Sequence, residues 1–148
     1  MTDKAGWLLK QGVSHWNKRW LVLEGKYLKC YLRQPTDHKK KKHLRTGTIC
    51  LDIYSRVTET KEYANREFAF CVQTKLLDWI LLGESAEDTA EWIQIISHNI
   101  TEMRRQLWIL ERVLWIGFYK NNSDNCLIAA LPKDLVRIIL SYVRNTLK

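Results

Sequence analysis

The chain has 148 residues, of which 46% are hydrophobic, and its seven tryptophans favour a folded protein over a disordered one. A chain of this length can bury a sizeable core without disulfides, either as one domain or as a domain of roughly 100 residues with an appendage. The formal net charge of +8 leaves three classes of anionic partner open: phosphorylated lipid headgroups, nucleic acid and an acidic protein.

The charge is unevenly distributed along the chain. Residues 1–50 contain twelve Lys and Arg against three Asp and Glu, whereas residues 51–100 contain four against nine. No stretch approaches the roughly 20 apolar residues of a membrane span, and the N-terminus lacks the apolar segment of a signal peptide, so we expect a cytoplasmic protein. Four widely spaced cysteines without a CxxC pair, and four histidines without ligand spacing, predict free thiols, no metal site and no cofactor.

The first predicted element is a β-hairpin within residues 6–23. Two apolar runs, 7–9 and 20–23, flank a connection that contains a glycine. Because side chains alternate between the two faces of a strand, antiparallel pairing places Lys10 and Arg19 near each other at the mouth of the hairpin. Two cations beside an open loop form an anion site, although ordinary solvated charges at the rim are the alternative interpretation.

Five further strands are predicted from period-two alternation, at residues 27–32, 47–53, 54–60, 67–73 and 79–82. The alternation predicts that Ile53 in the fourth strand and Phe68 in the sixth point inward. Between the third and fourth strands, residues 34–45 contain Pro35 and a run of four lysines, which predicts an exposed loop.

A helix is predicted after the seventh strand. Ser85 followed by Asp88 is typical of a helix start, and apolar residues then recur at helical spacing through Trp92 to Ile100. Seven strands and a closing helix predict a mainly β (α+β) fold. In this fold two antiparallel sheets pack as a partly open barrel, the helix closes one end, and the hairpin loop lies at the other end.

Residues 4–100 resemble the pleckstrin homology (PH) domain family. The motifs that carry the resemblance are, in chain order, GWLLK at 6–10, WNKRWLVL at 16–23, YLKCY at 27–31, GTI at 47–49, FAFCV at 68–72 and ESAED at 84–88 before Trp92. The resemblance implies a seven-stranded PH-like barrel capped by a C-terminal helix over residues 4–100. We assign residues 101–148 to a helical C-terminal extension.

The resemblance also implies a lipid headgroup site. In lipid-binding members a Lys that ends the first strand and a basic-x-Arg pair in the second strand grip inositol phosphates. Lys10 and Arg19 match this pattern, whereas Asn17 stands at the intermediate basic position and removes one charge. Tyr31 matches a position whose side chain often reaches the headgroup. Nonspecific attraction to an anionic membrane would come from Lys39, Lys40, Lys41, Lys42 and Arg45.

The C-terminal extension contains a strongly amphipathic segment. Residues 101–115 continue or follow the preceding helix, and residues 131–143 predict a second helix with one apolar stripe. Residues 131–143 are similar to the first helix of an F-box. We expect this helix to dock on the PH-like domain or to pair with another chain.

Two functional hypotheses follow from the sequence. The first is a non-catalytic PH-domain adaptor that associates peripherally with anionic membrane lipids, phosphoinositides among them. The second is a protein-interaction scaffold that uses the PH surface and the 131–143 helix, self-association included. We expect no enzymatic activity, because no nucleophile elbow, glycine-rich phosphate loop, HExxH or paired-carboxylate signature is present. The aromatic residues lie at strand-core spacing without a nucleic-acid-binding motif, which argues against a nucleic-acid partner.

Overall fold

The described part of the chain contains seven antiparallel strands and one long helix. The computed structural model describes residues 3–36, 44–60 and 67–119 and residues 137, 138 and 141; of residues 113–119 it describes the backbone. The elements are β1 (Lys4–Gln11), β2 (Trp16–Glu24), β3 (Tyr27–Tyr31), β4 (Arg45–Cys50), β5 (Arg56–Glu59), β6 (Ala69–Gln73), β7 (Asp78–Leu82) and α1 (Ala86–Tyr119).

The seven strands form one antiparallel sheet that is not closed. The strand order is β4-β3-β2-β1-β7-β6-β5, so β4 and β5 are its two edges. β1 pairs along its whole length with β2 and, at Leu9 and Lys10, with β7. The two predicted sheets are therefore joined through β1, and the predicted mainly β fold with a C-terminal helix is confirmed.

The core lies between the inward faces of the strands and α1. Trp92, Ile96 and Ile100 of the predicted helical stripe are buried, with 0%, 0% and 3% of their surface exposed. They pack against buried strand residues, chiefly Leu8, Leu21, Leu23, Leu28, Ile49, Phe70, Val72, Trp79 and Leu81. An amphipathic helix thus covers the apolar face of the sheet, as its period predicts.

The helix begins where the sequence predicts. The Ser85 hydroxyl accepts a hydrogen bond from the backbone N–H of Asp88 at 3.2 Å, and the Asp88 carboxylate accepts one from the N–H of Glu84 at 3.4 Å. These contacts satisfy N–H groups that the first helical turn would otherwise leave unpaired. The helix then continues without a break to Tyr119, so residues 101–115 continue it rather than starting a new one.

Two inward-facing side chains were predicted wrongly. β4 ends at Cys50, and Ile53 is half-buried in a turn in which the Asp52 carboxylate accepts a hydrogen bond from the N–H of Tyr54 at 2.9 Å. Phe68 precedes β6 with a φ of 69°, which turns its ring outward to 43% exposure. Local turn chemistry overrides the alternation at Ile53, whereas at Phe68 the carbonyl accepts a hydrogen bond from the Thr89 hydroxyl of α1 at 2.9 Å.

The chain divides into two compact units, Met1–Met103 and Arg104–Lys148, and all seven strands belong to the first. In the second unit Trp108 and Ile109 of α1 are 55% and 41% exposed. Of the predicted helix over residues 131–143, the structure describes residues 137, 138 and 141, which are helical; the other residues of that helix lie outside the described part.

Candidate functional site

A recess of about 350 Å³ opens where the β1–β2 hairpin faces β4 and the start of β7. Among the residues that the structure describes, the lining combines two cations with amide, hydroxyl and aromatic groups and includes no carboxylate. The lining residues are Lys10, Gln11, Gly12, Asn17, Arg19, Cys30, Thr46, Gly47, Thr48, Leu77 and Trp79. This composition suits an anion better than a cation or a purely apolar ligand.

The strand register brings three of the predicted site residues together. Across the β1–β2 pair, Lys10 stands opposite Asn17 and Leu8 opposite Arg19. Paired residues project from the same side of a sheet, and so do residues two apart, so these four side chains share one face. Leu8 is buried in the core at 1% exposure, which makes this the inward face. Lys10, Asn17 and Arg19 therefore lie where the inward face leaves the core and enters the recess.

The two cations of the recess, Lys10 and Arg19, have no carboxylate partner within the described residues. Lys18, which precedes Arg19 in β2, instead forms an ion pair with Glu84 at 3.3 Å. The Lys10 ammonium lies 4.9 Å from the ring centroid of Trp79, a cation–π contact. Arg19 Nη1 donates to the Lys18 carbonyl at 3.0 Å. A guanidinium has five N–H donors, so this bond leaves Arg19 able to donate to a ligand.

Asn17 holds the hairpin loop closed at the position where lipid-binding PH domains carry a cation. Its side-chain amide donates to the His15 carbonyl at 3.3 Å, and the N–H of Gly12 donates to the same carbonyl at 2.9 Å. A Cβ on Gly12 would lie 2.9 Å from both the Asn17 amide nitrogen and the His15 carbonyl oxygen, so the tight loop requires a glycine there. The missing charge at position 17 thus accompanies a structural role for its side chain.

Trp79 forms one wall of the recess and is fixed from behind. Its side chain is buried within the hydrophobic core at 7% exposure. A Cβ added to Gly47 of β4 would lie 3.1 Å from Cζ2 of this ring, so the ring packs directly on the glycine backbone. Lys10 lies over the same ring, and the position of the cation is therefore coupled to the packing of the core.

Several lining residues were missed by the sequence reasoning, chiefly Thr46 and Thr48 of β4 and Trp79 of β7. Thr46 and Thr48 are exposed hydroxyl donors that flank Gly47, and the Thr46 hydroxyl donates to the Cys30 carbonyl at 3.3 Å. The signal was the pair of threonines around a glycine in a predicted strand. It could not be interpreted without the β3–β4 register, which is irregular between Cys30 and Tyr31.

The remaining predicted site residues lie elsewhere or outside the described residues. Tyr31 stands opposite Trp20 in the β2–β3 register and is 2% exposed, whereas its neighbour Cys30 lines the recess. The structure therefore does not bring Tyr31 to the recess, because successive strand residues face opposite sides. Arg45 is exposed at the start of β4, next to Thr46. The loop residues Lys39–Lys42 fall outside the described residues.

The cysteines that the structure describes are free thiols, of which Cys30 and Cys71 are buried and Cys50 is exposed. Burial, followed by the charge of Asp78, raises the pKa of the Cys71 thiol and keeps it protonated. Across residues 3–36, 44–60 and 67–119, no three His, Cys, Asp or Glu side chains are grouped to hold a metal ion. None of the helices in the described part of the chain is long and apolar enough to cross a membrane.

The unclosed seven-stranded antiparallel sheet and the helix packed on it define a small β-sheet domain with a basic recess beside its first hairpin. The model of the PH domain family matches residues 2–101. The chain therefore belongs to the PH domain family, as its motifs suggested. PH domains typically bind phosphoinositides or proteins and are generally non-catalytic.

Solved structures of PH domains share this fold. The comparison with curated proteins found no match. The C-terminal PH domain of pleckstrin in complex with D-myo-Ins(1,2,3,4,5)P5 is 25% identical, with a TM-score of 0.53 over 67% of this chain and 98% of that one. Another structure of the carboxyl-terminal PH domain of pleckstrin is 26% identical, with a TM-score of 0.55 over 68% and 98% of the two chains. The PH domain of the mouse Ethanol Decreased 4 protein is 19% identical, with a TM-score of 0.54 over 69% and 90%, and shows the fold alone.

Proposed function

We propose that this chain is a non-catalytic cytoplasmic adaptor that associates peripherally with anionic membranes by binding a headgroup phosphate in the recess. The observation that carries the proposal is the position of Lys10 and Arg19 in a recess where the described lining residues include no carboxylate. In this organisation residues 4–100 form the lipid-binding domain and residues 101–148 form a helical extension.

The chemistry of the recess fits a phosphate ester. A phosphomonoester carries a charge of roughly −1.5 to −2, and Lys and Arg donate charge-assisted hydrogen bonds to its oxygens. Two cations therefore balance one such group. The Thr48 hydroxyl supplies a neutral donor on the β4 side of the recess, whereas the single O–H of Thr46 is donated to the Cys30 carbonyl. Asn17 adds no charge, so the recess has one cation fewer than the family's lipid-binding pattern. Fewer cations are therefore left to bind a second phosphate.

The structural neighbours support this choice of ligand. The similar C-terminal PH domain of pleckstrin was solved in complex with inositol pentakisphosphates. The shared ligand chemistry is a phosphorylated inositol ring, which in a membrane is the headgroup of a phosphoinositide. Arg45, exposed beside the recess, and the neighbouring lysine-rich sequence add attraction to an anionic surface.

The test is sedimentation of the full chain with vesicles, comparing the double variant Lys10→Met/Arg19→Met with the wild type. The matched control is Lys26→Met/Arg56→Met, which removes the same charge from two exposed cations outside the recess. A hydrogen bond to a charged group contributes about 1.5–3 kcal/mol, so losing both cations should weaken binding to phosphoinositide vesicles at least about a hundredfold.

The control separates a shaped site from bulk electrostatics. It should lose only the nonspecific attraction, about 1 kcal/mol for each basic residue that lies near the surface. Selectivity among headgroups should survive high salt, because buried contacts are screened less than exposed ones. Equal losses in the two double variants would show that the recess has no special role.

Binding of a protein partner is a second candidate function, which is favoured by the exposed Trp108 and Ile109 on α1. In that case Lys10 and Arg19 are solvated charges. Vesicle binding by the Lys10→Met/Arg19→Met variant would then equal that of the wild type, so the same experiment distinguishes the two functions.

A further inference from the structure

A tyrosine ring projects into solvent from the turn between β4 and β5. Tyr54 is 59% exposed, whereas Ser55 beside it is fully buried. The Asp52 carboxylate fixes this turn, because it accepts hydrogen bonds from the N–H of Tyr54 at 2.9 Å and from the Ser55 hydroxyl at 2.8 Å. The tyrosine hydroxyl therefore stands on an anchored turn rather than within a paired strand, where an enzyme can reach it without opening the sheet.

The ring of Tyr54 lies against a cation of the neighbouring turn. The Lys75 ammonium is 3.8 Å from the ring centroid, and both side chains are exposed. Arg56 of β5 stands opposite Gln73 of β6 in an antiparallel pair. Because the strands run in opposite directions, the residues just before β5 adjoin those just after β6. The sheet register therefore brings Tyr54 and Lys75 together.

Tyr54 and Lys75 belong to the end of the domain that bears the recess. Lys75 and Leu77 lie in one turn between β6 and β7, in which the Thr74 hydroxyl donates to the Leu77 carbonyl at 2.7 Å and accepts from the N–H of Leu77 at 3.1 Å. Leu77 lines the recess together with Lys10. A charge added to Tyr54 therefore acts on the surface through which the recess would meet a membrane.

We propose that Tyr54 is a phosphorylation site for an ATP-dependent tyrosine kinase and that its phosphate weakens attachment of the domain to anionic membranes. This inference rests on the proposed function, since it takes the recess as the membrane-facing end. In the transfer, Oη of Tyr54 attacks the γ-phosphorus of ATP while the hydroxyl proton passes to the base of the kinase. The new P–O bond replaces the bond to the β-phosphate, and ADP leaves.

The phosphate changes the charge at the recess end in two ways. It carries a charge of roughly −1.5 to −2, and Lys75 is close enough to donate a charge-assisted hydrogen bond to it. The ion pair removes Lys75 from the field that attracts a bilayer, and an anionic leaflet repels the charge that remains. Each basic residue near such a surface raises affinity about fivefold, so phosphorylation should weaken binding at least about tenfold.

Tyr27 provides a matched comparison on the same sheet. It is 42% exposed, and the Lys26 ammonium lies 5.5 Å from its ring centroid, so Tyr27 also combines an exposed ring with a lysine. It stands opposite Glu24 in the β2–β3 pair, where a phosphate would meet a carboxylate. Tyr27 also lies next to the β2–β3 turn, at the end of β2 away from the recess. Its removal should therefore leave the proposed regulation intact.

The experiment treats the full chain with ATP and a recombinant tyrosine kinase of broad specificity and maps the phosphate by mass spectrometry. Sedimentation with vesicles of phosphatidylcholine and phosphatidylserine is then measured before and after treatment. In the wild type and in Tyr27→Phe, we expect phosphate on Tyr54 and binding at least about tenfold weaker after treatment, with recovery after a phosphatase. Tyr54→Phe should bind equally well before and after treatment.

The ion pair with Lys75 can be tested without a membrane. Because a neighbouring cation favours the doubly ionised phosphate, the second pKa of the Tyr54 phosphate should be lower in the wild type than in Lys75→Met. Phosphorus NMR of the two phosphorylated chains over a range of pH measures this difference. Equal pKa values would overturn the ion pair.

The outcomes separate this inference from the proposed function. A wild type that acquires no phosphate on Tyr54 overturns the inference, and so does phosphorylated Tyr54 with unchanged vesicle binding or an equal loss of binding in treated Tyr54→Phe. The proposed function fails on a different result, namely unchanged phosphoinositide binding in unphosphorylated Lys10→Met/Arg19→Met. A wild type that binds no vesicles before treatment overturns both.

Discussion

Gly47 and Gly6 provide a direct test of how the core fixes the recess. Each is a strand glycine that faces Cζ2 of a buried tryptophan, and neither has a positive φ. A Cβ on Gly6 would lie 3.5 Å from Cζ2 of Trp92, an ordinary contact, whereas a Cβ on Gly47 would lie 3.1 Å from Cζ2 of Trp79. The two alanine variants thus differ mainly in how closely the new methyl group approaches a ring.

The magnitude follows from two opposing effects. Replacing Gly by Ala at a compatible position stabilises a protein by about 0.4–1 kcal/mol through the unfolded chain, and this gain is common to both variants. Overpacking a core costs about 1–3 kcal/mol, and it applies to Gly47→Ala because Trp79 is packed in the core. We expect Gly6→Ala to be neutral or stabilising. Gly47→Ala should be less stable than Gly6→Ala by about 1–3 kcal/mol.

The assay is thermal unfolding of the two full-length variants beside the wild type. For a domain of about 100 residues, 1 kcal/mol shifts the melting temperature by about 4–8 °C, so the two variants should differ by at least about 4 °C. Vesicle binding should also weaken in Gly47→Ala alone, since a displaced Trp79 ring moves the Lys10 ammonium over it. Equal melting temperatures for the two variants would refute the reasoning, because they would show that the Trp79 ring yields freely.

Two further predictions concern the junction between β6 and α1. The Thr89 hydroxyl donates to the Phe68 carbonyl at 2.9 Å, and Thr89 is 4% exposed. Thr89→Val should therefore lower the free energy of unfolding by about 1–3 kcal/mol, and Thr89→Ser, which keeps the hydroxyl, should lower it less. Chemical denaturation that finds Thr89→Ser less stable than Thr89→Val would contradict this account. Hydrogen bonds from the Glu87 backbone N–H and the Ser85 hydroxyl hold the pKa of the Glu87 carboxylate below its usual value. The contribution of the ionised carboxylate to stability is therefore complete above a pH of about 4.3 and is lost as the pH falls through the lowered pKa. Glu87→Gln should therefore be less stable than the wild type at neutral pH and equal to it in acid, and a difference that persists in acid would refute the assignment.

The sequence was sufficient to predict the fold because its signals are local and periodic. Alternation located each strand, and the pair Ser85 and Asp88 marked the start of α1. The hairpin residues 6–23 were enough to place Lys10 beside Arg19, since an antiparallel pair with a short loop fixes its own register. The order of the strands in the sheet was not predicted, because alternation within a strand carries no information about which strands are neighbours.

The rest depended on information that is not local. Tyr31 was assigned by its match to a family position, but the β3 register gives the recess to Cys30. Phe68 follows the alternation in sequence, but its carbonyl is bound by Thr89, which is distant in the chain. The contact between Thr89 and Phe68 is not visible before the helix is placed against the sheet, and the position of Cys30 in the recess is not visible before β3 is paired with β2 and β4.

The same limit applies to the charge of the first fifty residues. Counted along the chain they are strongly basic, yet Lys4 lies against Asp88 and Glu91, and Lys18 against Glu84, all on or just before α1. The acidic middle of the sequence therefore neutralises part of the basic end through tertiary contacts. Exposed ion pairs contribute little to stability, but they remove cations from the field that a membrane would meet.

This pairing changes which cations matter. Lys10 and Arg19 enter a recess that is lined by no carboxylate from the described part of the chain. Their charge lies at the end of the domain that also presents the exposed Val13 and Leu76. A uniformly basic surface would bind any polyanion in proportion to its charge, and salt would abolish the binding. The proposed function instead relies on a few cations in one recess, and it therefore predicts binding that depends on where the partner places its phosphate and not only on the partner's total charge.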